Sequence, residues 1–199
     1  LEAIDQNQIA VGPHVQLLEE GIRNFLNAKY SIAVNSGTAA LELAIMCSKI
    51  NVGEYILMPS FTFSASANAV ISCGCHPFFY DIKLDDLCAD IDQIQNLLAS
   101  DCESRCGKIF HKSLGHHISG IMAVHMYGNV CEIEKLREIS ARFGLELIED
   151  GTEALGATYK SEFMGSNSSY FALSFNGNKI ITAAGGGMLL TNNSEIAKK

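Results

Sequence analysis

The chain has 199 residues, 48% of them hydrophobic and 18% charged, with a mean hydropathy of +0.15, enough for one substantial core or for one large domain of something bigger. A formal net charge of −8 without a basic cluster argues against nucleic acid or an anionic membrane as the main partner. No apolar run approaches the roughly 20 residues that span a bilayer and Leu1 opens no signal peptide, so the chain reads as soluble and cytoplasmic.

Residues 13–28 place Val15, Leu18, Ile22, Phe25 and Leu26 at helical spacing behind Pro13, whose missing N–H matters little at a helix start. Ser31 to Asn35 reads as a short strand, and Ser36-Gly37-Thr38 leads from it into an alanine- and leucine-rich helix. The unit then recurs. Tyr55 to Pro59 is a strand and Phe63 to Cys73 a small-residue helix. Pro77 to Asp81 is the next strand, followed by a helix over Asp90 to Ala99 with Ile91, Ile94, Leu97 and Leu98 on one face. Ser100 to His117 is polar and aperiodic and reads as a surface loop. Its His111, His116 and His117 lack the carboxylate or thiolate set at fixed spacing that a metal site needs, so no metal is expected.

Strands over Ile118 to His125 and Leu145 to Asp150 flank a helix over Glu132 to Phe143, with Ile133, Leu136, Ile139 and Ser140 inward. Two further strands, Tyr170 to Phe175 and Gly187 to Thr191, enclose a glycine-rich stretch that carries Lys179. Ser194 then serves as the N-cap of a helix that the chain barely enters, so a fragment of a longer protein is expected. The seven cysteines form no C-x-x-C pair and read as reduced, packing residues. Seven strands alternating with helices give an α/β fold whose mostly parallel sheet is covered on both faces, in one domain.

Four features cluster at strand ends. Ser36-Gly37-Thr38 opens a helix whose free N–H groups and partial positive charge suit a phosphate. Phe61 and Phe63 follow the second strand, Glu149 and Asp150 end the fifth, and Lys179 follows the sixth. Each alone has an ordinary structural explanation. Together they supply what pyridoxal phosphate needs: an amine for its aldehyde, an acid for its pyridine nitrogen, an aromatic face and a phosphate cradle.

The motifs NSGTAALELAI (35–45), GEYILMPSFTFSASANAV (53–70), AVHMYGN (123–129), LIEDGTEALGA (147–157) and LSFNGNKIITAAGGGMLLTN (173–192) resemble, in order, those of the DegT-type sugar nucleotide aminotransferases. The resemblance implies the large domain of a fold-type I pyridoxal-phosphate enzyme, a three-layer α/β/α arrangement around a seven-stranded sheet, over residues 1–199, with a small C-terminal domain lacking. It implies that Lys179 binds the cofactor covalently and shuttles the proton, and that Asp150 pairs with the pyridine nitrogen. Gly37, Thr38 and Ser174 would hold the phosphate, and Phe63 would stack on the ring. Phe61 reads as packing, and His125 and Tyr127 as a structural strand-end motif. At Glu153 many members carry Gln or His, which donates to the cofactor's phenolic oxygen; a carboxylate there is protonated or makes a different contact.

The implied activity is transfer of an amino group from an amino acid, L-glutamate by resemblance, to a nucleotide-linked keto sugar, in a homodimer whose active site lies at the subunit interface. The motif forms look most like the branch that aminates UDP-linked 4-keto-6-deoxy hexosamines. Two rival readings remain: a sugar dehydratase, whose known members replace the lysine with histidine, and a non-catalytic regulatory homologue.

Overall fold

Seven apolar stretches of the sequence become neighbouring strands in a computed structural model that describes Asp5 and residues 12–199. The reading of Leu1 as no leader falls outside those residues. In chain order the main elements are α1 (Pro13–Leu26), β1 (Tyr30–Val34), α2 (Gly37–Cys47), β2 (Tyr55–Pro59), α3 (Ser64–Ser72) and β3 (His76–Tyr80). They continue with α4 (Ile91–Asn96), β4 (Cys102–Arg105), β5 (Lys108–His111), β6 (His117–Val124), α5 (Ile133–Phe143) and β7 (Glu146–Asp150). A small hairpin of β8 (Thr158–Tyr159) and β9 (Glu162–Phe163) precedes β10 (Phe171–Ser174), β11 (Gly187–Thr191) and α6 (Ser194–Ala197).

The central order is β1-β11-β10-β7-β6-β2-β3, with β10, β7, β6, β2 and β3 mutually parallel and β11 antiparallel to both its neighbours. Side chains alternate across the sheet as strand geometry requires. Leu57, Ile121, Ala123, Phe171, Leu173, Met188 and Leu190 face a core shared with Ile22 and Leu26 of α1, Ile91 and Ile94 of α4, and Leu136 and Ile139 of α5. Their neighbours Ile56, Met58, Met122, Val124, Ala172 and Leu189 face a second core with Ala40, Leu41, Ala44 and Ile45 of α2, Ala69 and Val70 of α3, and Ile196 of α6. Two cores on one sheet make three layers, the expected α/β/α arrangement. Each fully buried large side chain contributes about 1.5–3 kcal/mol.

Local chemistry sets the ends of the helices that matter most here. Ser36 caps α2 by accepting the Ala39 N–H at 3.0 Å. Gly144, at φ +67°, lets the chain leave α5 through the left-handed region. On α5, Ile133, Leu136, Ile139 and Ser140 are buried, as their spacing predicts.

Three expectations change. Ser100 to His117 contains β4 and β5, a hairpin turned by Cys106 and Gly107, both at positive φ, and β5 joins the sheet beside β6. These strands are short and half-exposed, so only Cys102 and Ile109 carry a burial signal. The three histidines there pack on rings: His116 stacks on Tyr55 at 3.9 Å, His111 meets Phe78, and His117 meets Phe110 and pairs with Glu54 at 2.9 Å. On α1 only Ile22 and Leu26 are buried; Val15, Leu18 and Phe25 are exposed, since a helix at the rim of the sheet covers it with part of its apolar stripe. Finally, Asn193, not Ser194, caps α6, its side chain accepting the Glu195 N–H at 2.9 Å.

Candidate active site

The parallel strands end at a common rim, where open α/β sheets place their ligands. There a cavity of about 230 Å³ lies between the start of α2, the start of α3, the end of β7 and the turn after β10. Gly37, Thr38, Phe63, Asp150, Ser174 and Lys179 all line it. Residues distant along the chain thus converge on one space.

Asp150 and Glu149 end the same strand, and alternation sends them to opposite faces. Asp150, 3% exposed, turns toward the cavity. Its Oδ2 accepts the Ser66 hydroxyl at 2.7 Å and its Oδ1 the Thr152 N–H at 3.1 Å. Glu149 turns the other way, toward His125 Nε2 at 3.4 Å and Arg137 at 3.7 Å. His125 Nδ1 accepts the Cys131 N–H at 3.2 Å, which leaves Nε2 to face Glu149. His125 also donates its backbone N–H to the Asp150 carbonyl at 3.0 Å, so it grips β7 just below the acid.

Lys179 closes a tight turn in which its N–H donates to the Asn176 carbonyl at 3.0 Å. The side chain is only 10% exposed. Its Nζ donates to Glu153 Oε1 at 3.2 Å and sits 5.8 Å from the centre of the Phe63 ring. Glu153 is held from its other oxygen by the Tyr127 N–H at 2.9 Å. Tyr127 adopts φ +54°, an unusual conformation for a bulky residue, and that turn is what points its N–H at the carboxylate. Glu153 therefore reaches the site through Lys179 rather than as part of the cavity wall.

At the start of α2, Gly37 allows close approach: a Cβ there would lie 2.7 Å from the Ser174 Cβ and 3.1 Å from the Thr152 Cγ2. First-turn N–H groups lack partners within their helix, so Gly37 and Thr38 bring donors and the positive helix end to the cavity. Phe63 offers an open face at 64% exposure. Phe61, expected to pack, is 44% exposed and does not line the cavity.

Sequence reasoning missed Asn35, Ser66, Thr152, Asn176, Asn178 and Gly185–Gly186, all of which line the same cavity. Asn176 and Asn178 stand beside Lys179 in the turn and were legible by proximity. Ser66 was not, because a serine inside a run of small helical residues has no distinguishing pattern.

The description of the DegT/DnrJ/EryC1/StrS aminotransferase family matches residues 1–199. The chain belongs to that family. It is 34% identical to the GDP-perosamine synthase of Caulobacter vibrioides, over 100% of this chain and 50% of that protein. Among solved structures, a DegT/DnrJ/EryC1/StrS aminotransferase from Brucella abortus superposes with a TM-score of 0.89 at 26% identity, over 99% of this chain and 51% of that one. NtdA from Bacillus subtilis with bound cofactor PMP gives 0.84 at 28% identity, over 99% and 41%. This member of the family thus spans about half the length of the curated relatives it matches. Among the described residues no helix is long and apolar enough to cross a membrane.

Proposed function

We propose that this chain forms the cofactor-binding large domain of a pyridoxal-phosphate-dependent aminotransferase that moves an amino group from an amino acid to a nucleotide-linked keto sugar. The observation that carries the reading is the convergence of Lys179, Asp150 and the start of α2 on one cavity.

The donor set fits the group. A buried acceptor-only carboxylate suits a protonated pyridine nitrogen, and a helix start with a nearby hydroxyl, Ser174, suits a phosphate. The exposed Phe63 face suits a flat ring, and a buried amine suits an aldehyde. When bound, pyridoxal phosphate supplies an electron sink for charge developing at the substrate carbon. The chain's own residues do the rest. Lys179 Nζ would hold the cofactor and, once freed by the incoming substrate amine, would take the proton from the substrate carbon and return it to the cofactor, positioned by Glu153. Asp150 keeps the ring nitrogen charged. Gly37 and Thr38 anchor the phosphate end so that the ring cannot drift from the lysine.

The 34% identity to a GDP-perosamine synthase favours a GDP-linked sugar over the UDP-linked one suggested by the motif forms. L-Glutamate is the expected donor. The exposed apolar side chains Phe61, Phe63, Tyr127, Ile180 and Ile181, on segments that include or adjoin cavity residues, support a homodimer whose active site lies at the subunit interface. The presence of Lys179 disfavours the dehydratase reading, and its convergence with Asp150 disfavours a non-catalytic homologue.

The test uses the purified protein loaded with pyridoxal phosphate. A visible absorbance band should be discharged by L-glutamate and restored by a keto sugar nucleotide, with the amine nitrogen retained in the product. A protein that shows no cofactor band, or a product that loses a hydroxyl without gaining nitrogen, contradicts the proposal.

A further inference from the structure

In the cavity wall, Asp150 is held by a chain of hydroxyls to which the family motifs assign no role. Ser66, 1% exposed on the first turn of α3, donates to Asp150 Oδ2 at 2.7 Å across 84 residues of sequence. Thr62 Oγ1 lies 2.8 Å from Ser66 Oγ. A hydroxyl has one proton to give, and an ionised carboxylate can only accept. Since Ser66 gives its proton to Asp150, its oxygen must be the acceptor in the second bond and Thr62 the donor. The chain of bonds therefore runs one way, from Thr62 through Ser66 to the acid. The backbone N–H of Thr152 holds the other carboxylate oxygen at 3.1 Å, so donors fix both oxygens.

We infer that Ser66 and Thr62 are positioning residues, which keep Asp150 ionised and aimed so that the shared proton stays on the cofactor's ring nitrogen. The inference rests on the pyridoxal-phosphate reading of the cavity. Hydrogen bonds to the charged form of an acid favour that form, and they are roughly twice as strong when the acceptor is ionised. In a site this dry few other donors are at hand, because Asp150 is almost wholly withdrawn from solvent. Without the Ser66 hydroxyl the carboxylate competes better for the proton, and the ring becomes a poorer electron sink. Thr62 acts one step back: its donation polarises the Ser66 hydroxyl and fixes which way it points.

The experiment is ¹⁵N NMR of the holoenzyme reconstituted with pyridoxal phosphate labelled at the ring nitrogen, with cofactor affinity and melting temperature measured in parallel. The wild type should show a protonated ring nitrogen. In Ser66→Ala the signal should move toward the unprotonated position and cofactor affinity should fall roughly tenfold or more, the scale of losing a hydrogen bond to a charged group. Ser66→Thr, which keeps the hydroxyl, should restore both. Thr62→Val, close in shape at a half-buried position, should give a smaller shift in the same direction, and it carries the test should Ser66→Ala fail to fold. A purely structural role would lower the melting temperature and leave the nitrogen signal in place. A wild-type signal in Ser66→Ala, or in Thr62→Val where that variant stands in, overturns the inference and leaves the cofactor reading standing. A wild type that binds no pyridoxal phosphate, or binds it with an unprotonated ring, overturns both.

Discussion

Replacing Gly151 with alanine would drive a methyl group into a ring that has nowhere to go. A Cβ at Gly151 would lie 2.1 Å from the Phe171 Cζ, 2.4 Å from Cε1 and 2.6 Å from Cε2. The Gly151 backbone is not in the left-handed region, so the obstacle is steric alone. Phe171 is fully buried, its ring also lies against Gly165 and 5.9 Å from His125, and a close-packed interior does not yield. Overpacking of this kind costs about 1–3 kcal/mol, and the lack of escape room puts Gly151→Ala near the upper value. For a chain of this size that loss lowers the melting temperature by about 6–12 °C. Because Gly151 follows Asp150 directly, cofactor affinity should fall as well. Urea denaturation measures the stability, with Gly185→Ala as the control. Gly185 lines the same cavity, but a Cβ there meets nothing within 4 Å and no positive φ stands in the way, so its change should lie within about 1 kcal/mol of zero. Adding Phe171→Leu to Gly151→Ala should recover part of the loss, giving a coupling above about 0.5 kcal/mol. A Gly151→Ala protein within about 0.5 kcal/mol of wild type, or two substitutions that simply add, would refute the packing argument.

Ser36→Ala removes the cap of α2 and should lose about 1 kcal/mol in chemical denaturation, with a parallel loss of cofactor affinity because the phosphate-facing turn frays. Glu54 gives a pH dependence on the acid side. Burial works against its charge, yet hydrogen bonds from the Asn51 backbone and side chain, with Ser119 and His117 nearby, outweigh burial and hold it below its ordinary value of 4.5. A lowered acid contributes stability that is present above about 4.5 and lost as pH falls through the folded value, so wild type should lose more stability on acidification than Glu54→Gln.

The five inner strands were legible because they are largely buried on both faces, and such strands read as unbroken apolar runs between glycine, proline and asparagine signals; β1 and β3, at the sheet edges, are partly exposed and were legible from their apolar and aromatic residues. The helices on α/β crossovers were legible from their period, and α5 most clearly, since its inward residues recur at three- and four-residue spacing. Edge structure was less so. In β4 and β5 a half-exposed strand mixes Glu103, Arg105 and Lys108 with two buried positions, and the deciding signal is the two-residue Cys106-Gly107 turn, which needs positive φ twice. The stripe on α1 overstated burial, because helical spacing says which residues share a face and not how much of that face finds a partner. At the candidate site, the residue types that carry charge or an aromatic ring stood out, and the geometry brings them together. The hydroxyls did not stand out: Thr62 and Ser66 matter through a contact with Asp150 that no local pattern announces.

Borohydride reduction of the protein loaded with pyridoxal phosphate, followed by proteolysis and peptide mass mapping, tests most directly whether the buried amine beside Glu153 holds the cofactor. The expected result is a pyridoxyl mass on the peptide that contains Lys179, absent from Lys179→Ala treated in the same way. A label on another lysine, with none on Lys179, would contradict the account.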